Sequence, residues 1–380
     1  PPAPSPLPSA PMPASAIETA DDDFLLDSSA DVDWAALCLN TDWAALCLNT
    51  SCTTAPATIK QARAAHDWQQ WKTGIIDQVS AVVNNDVFVP DSNPTSTVLD
   101  SKIVLTYKHN ELGEIIRHKA RFTPKGYQQT HGLNFFETFA PVASMDTTRT
   151  FLAIGAARNY DIHQFDIDDA FTTSPLDEDV WMRIPADIMA ISEIASLIAD
   201  KFGLCYDNVF AQPLVVKLLR SIYGLKQSNR NFSQLLDDWL LGNDFHRSKA
   251  DACLYCHGDN LWVLVYVDDL LVMGDPTSIS HFKSMLTNRF GIKDLGPVHW
   301  YLGMEISRDR THGTLQISQT QYIKDVLAKF NMSDCHPRSS PLPTGLQLPK
   351  ATTRDTDFPY RELVGSLLYA AKATRPDIVH

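Results

Sequence analysis

The sequence lacks any long hydrophobic run, and its first residues lack the pattern of an export signal. Its longest apolar stretches, such as residues 261–267, fall far short of the roughly 18 residues of a membrane span, which excludes an integral membrane protein. The chain begins with proline, and no basic segment followed by an apolar one comes after it. We therefore expect a chain without a secretory signal that is a fragment of a longer protein.

Basic residues are few in proportion to acidic ones. The chain has 32 Lys and Arg against 45 Asp and Glu, and its net charge of −13 argues at first against a nucleic-acid-binding protein. The charge is uneven, because eight acidic residues face a single basic one, Lys60, in the first sixty positions. Basic residues cluster further on, at Lys102, Lys108, Arg117, Lys119, Arg121 and Lys125. Such a local patch binds phosphate whatever the global charge.

Cysteine is scarce, and its seven copies are an odd number. Without an export signal, this indicates reduced thiols and an intracellular protein. Cys253, Cys256 and His257 spell C-x-x-C-H, which is nominally a haem-attachment pattern. No second pair of ligands accompanies it. We therefore interpret both cysteines as part of a buried strand beside a turn at Gly258.

Proline and acidic residues dominate residues 1–62, which are predicted to form a disordered linker. Within it DWAALCLNT occurs twice in tandem, at 33–41 and 42–50, which is too few copies for a solenoid. Further along, three apolar stripes at helical spacing begin at Phe232, Phe282 and Ile323. Predicted strands and helices alternate irregularly, which indicates an α+β fold.

Two adjacent carboxylates interrupt an apolar segment at residues 261–273. A tight turn between paired strands would place Asp268 and Asp269 at the tip of a hairpin. Like charges beside an apolar sheet are unfavourable unless a cation such as a divalent metal neutralises them. A solvated Asp-Asp turn is the alternative.

A second acidic segment, at residues 164–171, favours the metal interpretation. Asp166 ends a predicted strand and can face the hairpin tip, whereas Asp168 is better explained as a solvated loop residue. Three carboxylates from two strands suit a pair of Mg²⁺ ions, which prefer oxygen ligands and keep positions open for substrate phosphates.

Residues 266–269 read YVDD, which resembles the catalytic box of reverse transcriptases. The surrounding segments resemble copia-type LTR-retrotransposon polymerases in family order, over roughly residues 65–380. They read HKAR at 118–121, ETFAPV at 137–142, HQFD at 163–166, YGLKQ at 223–227, DLG at 294–296, YLGME at 301–305 and RELVGSLLY at 361–369. Each segment is a weak signal alone, and together they are specific.

The resemblance implies an RNA-directed DNA polymerase with a right-hand architecture of fingers, palm and thumb over residues 63–345. Residues 346–380 would then begin the connection toward an RNase H domain. The implied partners are an RNA or DNA template with an annealed primer, dNTPs and other parts of a retrotransposon polyprotein, without a membrane. The implied location is a cytoplasmic virus-like particle.

The resemblance also assigns roles to residues. It implies that Asp166, Asp268 and Asp269 are catalytic carboxylates that hold two Mg²⁺ ions, with the Ile167 carbonyl as a further ligand and Mn²⁺ able to substitute. The nucleotide-binding residues that it implies are Lys108, Lys119, Arg121, Asp169, Phe171, Gln227 and Lys293. Those that position the primer are Leu302, Gly303 and Met304.

Three of these roles have a specific chemical content. Phe171 would clash with a 2′-hydroxyl and so select deoxynucleotides, Arg121 would hold the triphosphate, and Lys293 would protonate the leaving pyrophosphate. Ordinary core packing is the alternative for Phe171. Exposed basic positions are the alternative for the two cations.

The sequence departs from the family pattern at several places. Ile103 and Thr106 stand where the family usually has Trp and Lys, and residues 172–174 read TTS where it often has L-N-G. Residues 228–232 read SNRNF in place of A-P-R-x-W. A degenerate, inactive fragment with residual nucleic-acid binding is therefore an alternative function. An acidic interaction protein whose proline-rich start binds as a polyproline helix is another.

Overall fold

The structure is a computed structural model that describes residues 55–109, 114–205, 213–338, 345–347 and 358–379. The proline-rich start and the tandem repeat lie outside these residues. The fold is mixed α+β, as predicted. Across the described ranges, no helix is both long enough and apolar enough to span a bilayer.

Ten α-helices lie in the described residues. They are α1 (Ile59–Ala64), α2 (Trp68–Asn84), α3 (Met145–Ala157), α4 (Ala170–Thr173), α5 (Ala186–Met189), α6 (Ser192–Phe202), α7 (Ser228–Gly242), α8 (Pro276–Arg289), α9 (Thr320–Lys329) and α10 (Tyr360–Ala373). The three predicted apolar stripes correspond to α7, α8 and α9.

The strands form three sheets. They are β1 (Phe88–Pro90), β2 (Val98–His109), β3 (Ile115–Pro124), β4 (Asp161–Ile167), β5 (Pro175–Arg183), β6 (Val215–Arg220), β7 (His246–Arg247), β8 (Leu254–His257), β9 (Leu261–Tyr266), β10 (Asp269–Gly274), β11 (Ile292–Pro297), β12 (Trp300–Tyr301), β13 (Met304–Asp309) and β14 (Thr314–Ser318). The sheet orders are β1-β6-β5-β2-β3, β11-β4-β10-β9-β8-β7 and β12-β13-β14.

The six-stranded sheet is buried on both faces. Along β10, Leu270 and Val272 join a cluster that includes residues of α7 and α8, whereas Leu271 and Met273 join one that includes residues of α3 and β13. Successive side chains of a strand point to opposite faces, so a strand covered on both sides needs a continuous apolar run. This explains why the segment around the two aspartates is apolar throughout.

The five-stranded sheet carries an amphipathic hairpin, β2–β3. One face of the hairpin contributes residues such as Leu105 and Phe122 to a core that includes Trp71 and Ile75 of α2. The other face carries Lys119 and Arg121, directly opposite Thr106 and Val104 in the strand register. Lys119 and Arg121 therefore lie on one face of the hairpin β2–β3, and its other face packs on the core.

A single carboxylate is buried between α2 and this hairpin. The Tyr107 hydroxyl donates to Asp67 Oδ2 at 2.8 Å, and His118 Nε2 lies 2.8 Å from the same oxygen. Burial acts to raise the pKa of Asp67, but the hydrogen bonds with His118 and Tyr107 outweigh it and hold the pKa below its ordinary value. Both contacts are made to Oδ2, while Oδ1 is buried without a hydrogen-bond partner, and we call this group the Asp67 cluster.

Two expectations from the sequence need adjustment. Helix α1 crosses the linker boundary predicted at residue 62 and buries Ile59 and Ala62, so packed structure begins earlier than predicted. Cys253 is buried just before β8 as expected, but Cys256, on the strand itself, is only partly buried.

Candidate active site

A two-residue turn joins β9 to β10 and carries the adjacent aspartates. Tyr266 pairs with Asp269 across the hairpin, so Val267 and Asp268 form the loop. Val267 has a φ of 59°, in the left-handed region that β-branched residues rarely occupy. The turn holds this conformation because the strands on both sides are fixed in the sheet. Asp268 thus projects from a rigid tip.

Strand β4 brings Asp166 to the same end of the sheet. Asp166 lies directly opposite Asp269 in the antiparallel register, and the Ile167 N–H donates to the Asp268 carbonyl at 2.9 Å. The Ile167 side chain is buried in the core beneath. The structure therefore gathers Asp166, Asp268 and Asp269, which we call the acidic triad.

The acidic triad concentrates negative charge where protein surrounds it on most sides. Burial, followed by the nearby charge of Asp166, raises the pKa of Asp268 to about 6. Burial also raises the pKa of Asp269 to about 7, aided by the charges of Asp268 and Asp166 and opposed by a hydrogen bond from Gln164. Both side chains keep a partial opening to solvent. Carboxylates in this situation favour a proton or a cation.

Each acid contacts a different neighbour. Lys293 Nζ lies 3.5 Å from Asp166 Oδ2, the Tyr223 hydroxyl donates to Asp268 Oδ2 at 3.5 Å, and Gln164 Nε2 donates to Asp269 at 2.9 and 3.1 Å. Among the described residues, no three Asp, Glu, His or Cys side chains already converge as ligands of a metal ion. The oxygen donors and their uncompensated charge suit a divalent cation, but their side chains must turn toward it.

Lys293 lies on β11, paired with Asp166 in register. Its ammonium forms ion pairs with both Asp166 and Asp168, and the pair with Asp168 is the closer one. The hydrogen bond with Asp168 raises the pKa of Lys293. Asp168, expected to be only solvated, therefore has a defined partner. Lys293 lies at the acidic triad, as its predicted role requires, and that role stays a prediction.

Charges of the hairpin β2–β3 act on the acids. The charges of Lys119 and Arg121 oppose the rise in the pKa of Asp268. Burial and then the charge of Asp168 raise the pKa of Asp169, and the charges of Lys293, Lys119 and Arg117 oppose this rise. Arg117 was not among the predicted site residues. Its spacing of two from Lys119, on the same side of β3, was the signal that could have identified it.

Phe171 and Tyr223 form an aromatic pair beside the acidic triad. Their ring centroids are 4.5 Å apart, and the Arg121 guanidinium lies 5.8 Å from the Tyr223 ring. Phe171 is buried on α4, which begins directly after Asp169. Asp169 has a φ of 48°, and the chain bends sharply there as it leaves β4. Sequence reasoning placed Phe171 here and missed Tyr223.

Two predicted nucleotide contacts lie differently from expectation. The Gln227 side chain is fully buried, and its amide nitrogen donates to the Asn134 carbonyl at 2.8 Å while its oxygen accepts from Gln129 at 2.9 Å. A nucleotide would reach it only after these bonds are exchanged. Lys108 is exposed, across from Arg117 and one residue before the end of β2.

The predicted primer-positioning residues form the turn between β12 and β13. Leu302 and Gly303 have φ values of 47° and 72°, and the Tyr369 hydroxyl of α10 donates to the Leu302 carbonyl. Met304 is fully buried. Burial raises the pKa of the adjacent Tyr301 well above its ordinary range, and the charge of Asp269 raises it further. The turn is therefore a neighbour of the acidic triad.

The geometry sets acids at the end of one sheet and basic residues on the face of another. Such a pair of surfaces can hold a polyphosphate whose oxygens contact both the basic side chains and a metal bound by the acids. A scan against protein families matches residues 85–344 to the family described as reverse transcriptase (RNA-dependent DNA polymerase). The chain belongs to this reverse transcriptase family.

Curated relatives agree with the copia-type resemblance. The chain is 32% identical over 339 residues to the Retrovirus-related Pol polyprotein from transposon TNT 1-94 of Nicotiana tabacum, covering 86% of this chain and 24% of the relative. It is 34% identical over 318 residues to the corresponding polyprotein from transposon RE1 of Arabidopsis thaliana, covering 82% and 20%. This reverse transcriptase chain thus spans about a quarter or less of these polyproteins.

Proposed function

We propose that the chain is an RNA-directed DNA polymerase that adds dNTPs to a primer 3′-hydroxyl. In this proposal the six-stranded sheet is the palm, the hairpin β2–β3 belongs to the fingers, and α9 belongs to the thumb. The observation that carries the proposal is the acidic triad. It combines raised pKa values with charges from Lys119 and Arg121 that act on Asp268.

The residues of the chain divide the chemistry between them. Asp166, Asp268 and Asp269 would hold two Mg²⁺ ions, which when bound lower the pKa of the primer hydroxyl and stabilise charge on the leaving pyrophosphate. Lys119 and Arg121 bind the triphosphate of the incoming nucleotide. Phe171 packs under its sugar and excludes a 2′-hydroxyl, while Lys293 stands at Asp166 as the proton donor to pyrophosphate.

The experiment is extension of an oligo-dT primer on poly-rA by the purified chain with Mg²⁺. We expect incorporation that disappears in Asp268→Asn. The matched control is Asp259→Asn, which removes the same charge from an exposed turn before the start of β9, at the other end of that strand. Unchanged incorporation in Asp268→Asn would contradict the proposal.

A degenerate, inactive fragment is the second candidate, and one observation favours it. Asn229 stands where the family usually has proline, and its buried side-chain nitrogen has no hydrogen-bond partner. A buried amide without a hydrogen-bond partner destabilises the start of α7 by roughly 1–3 kcal/mol. A folded chain that binds primer–template but incorporates nothing would support this candidate.

A further inference from the structure

Tyr223 lies in the turn between β6 and α7, outside every predicted site. The backbone of this turn is fixed on both sides, because the Ser221 N–H donates to the Ser174 carbonyl at 2.9 Å and the Ser228 hydroxyl donates to the Ile222 carbonyl at 2.7 Å. Tyr223 therefore projects from a defined position.

The turn is also pressed against the end of β3. A Cβ atom on Gly224, whose φ is 105°, would lie 2.7 Å from the Pro124 carbonyl oxygen, and one on Gly126 would lie 2.0 Å from the Gly224 oxygen. Only glycine permits this approach of two backbones. It brings Tyr223 beside Arg121, three residues before Pro124 on the same strand.

Three groups with separate tasks in the proposed reaction meet at the Tyr223 side chain. Its hydroxyl donates to Asp268 Oδ2 at 3.5 Å, its ring centroid lies 4.5 Å from that of Phe171, and the Arg121 guanidinium lies 5.8 Å from the ring. The phenol is the donor in its contact with Asp268, because an ionised carboxylate only accepts.

Building on the proposed function, we propose that Tyr223 is a positioning residue that holds a metal-binding carboxylate, a triphosphate-binding cation and the sugar-selecting aromatic ring in one arrangement. The hydroxyl orients Asp268 for the metal, as partners behind metal ligands commonly do. The ring of Tyr223 contacts the Arg121 guanidinium and the Phe171 ring and holds both in position. Metal affinity and sugar selectivity thus depend on different parts of one side chain.

A second tyrosine–aspartate pair joins β8 to α7 and has only structural partners. The Tyr255 hydroxyl donates to Asp237 Oδ1 at 2.8 Å, and Arg247 completes the same carboxylate with an ion pair. That carboxylate has its countercharge within the chain. Tyr255→Phe is therefore a matched control, since it removes a tyrosine hydroxyl from an aspartate away from the site.

The first measurement is Mg²⁺ binding to the full chain by calorimetry, without nucleic acid. We expect Tyr223→Phe to weaken Mg²⁺ binding about tenfold, as loss of a partner behind a metal ligand typically does. Tyr255→Phe should bind Mg²⁺ as the unaltered chain does. Unaltered Mg²⁺ affinity in Tyr223→Phe would overturn the proposal, and it would do so whether or not the chain polymerises DNA.

The second measurement is the ratio of dNTP to rNTP incorporation, with kcat and KM determined separately. Tyr223→Phe keeps the ring and should keep this ratio, whereas Tyr223→Leu should lower it and raise KM for dNTP. An unchanged ratio in a folded Tyr223→Leu would overturn the role assigned to the ring. Absence of incorporation by the unaltered chain would instead contradict the proposed function, while the Mg²⁺ result would still decide the role of the hydroxyl.

Discussion

Two groups of aspartates that the fold at least partly shields from solvent are treated in opposite ways. Asp67 accepts from Tyr107 and pairs with His118, so its pKa is lowered even though it is buried. Asp268 and Asp269 are adjacent to each other and to a third carboxylate, and their pKa values are raised to about 6 and about 7.

The difference separates a carboxylate that has partners within the chain from carboxylates that repel one another. Asp67 Oδ2 contacts Tyr107 and His118, and these contacts favour the ionised, folded state, although Oδ1 is buried without a hydrogen-bond partner. The acidic triad repels itself, and weak contacts with Lys293 and Tyr223 leave it incompletely compensated. In our proposal such a site takes its countercharge from a bound cation, at the expense of the stability of the metal-free chain.

The largest effect should come from Asp269→Asn. We expect Mg²⁺-dependent incorporation to fall by about 10³-fold or more, because a metal-binding carboxylate supports several kcal/mol of charge stabilisation in the transition state. The folded state should nevertheless remain, since the amide can still accept from Gln164. Steady-state primer extension and circular dichroism measure the two effects. Equal loss in Asp259→Asn would show that the effect is one of general charge.

Asp67→Ala should lower the stability of the fold without a separate loss of incorporation. It removes the carboxylate that accepts from the half-buried Tyr107 hydroxyl and pairs with His118, so the free energy of unfolding should fall by about 3 kcal/mol. Tyr107→Phe removes one of the two contacts and should lower it by about 1 kcal/mol. Urea unfolding followed by tryptophan fluorescence measures both. A loss of incorporation larger than the fraction of unfolded protein would contradict a purely structural role for Asp67.

The pH dependence of stability should distinguish the two regions in the metal-free chain. Asp268 and Asp269 bind protons more tightly when folded, so their contribution to stability is present at low pH and is lost as pH rises from about 4, their ordinary value, to about 7. We expect a loss of at least about 2 kcal/mol, a discounted figure because both side chains are partly exposed.

The measurement is urea unfolding in EDTA from pH 5 to pH 8. The double variant Asp268→Asn and Asp269→Asn should remove this loss, and Mg²⁺ should oppose it in the unaltered chain by favouring the ionised acids. Asp67 has the opposite sign, since its lowered pKa adds stability above its ordinary value and loses it in acid. Identical pH profiles for the unaltered chain and the double variant would contradict the assignment.

The smallest effect concerns the start of α7 rather than a carboxylate. Asn229→Pro replaces a buried amide that lacks a partner and places proline in the first helical turn, where it is tolerated. We expect the free energy of unfolding to rise by about 1 kcal/mol. Thermal unfolding measures this change. Asn229→Ala is the control, because it removes the amide without fixing the backbone.

The sequence was most informative where local pattern and tertiary structure agree. The apolar runs on either side of Asp268 and Asp269 predict a hairpin, because a strand that is buried on both faces is apolar along its whole length. The position of Asp166 opposite Asp269 was expected only from the acidic spacing and the resemblance. The register of β4 against β10 brings the two together.

Other features depended on partners distant in sequence. Gln227 is captured by Gln129, 98 positions earlier in the chain, and no local pattern indicates this burial. Helix α1 is too short to show a clear period, although its Ile59 and Ala62 are buried. Tyr223 belongs to a loop, and its importance follows from a close approach of two glycines that the sequence cannot reveal.

The left-handed backbone of Val267 has a consequence for the order in which the chain folds. Two-residue hairpin loops close readily with glycine or asparagine at such a position, and valine opposes closure. We therefore expect β9 and β10 to pair only when β4 offers its edge as a template. Both β4 and α7 precede this hairpin in the chain. The three acids of the triad would then meet only after β4 is in place, late in folding.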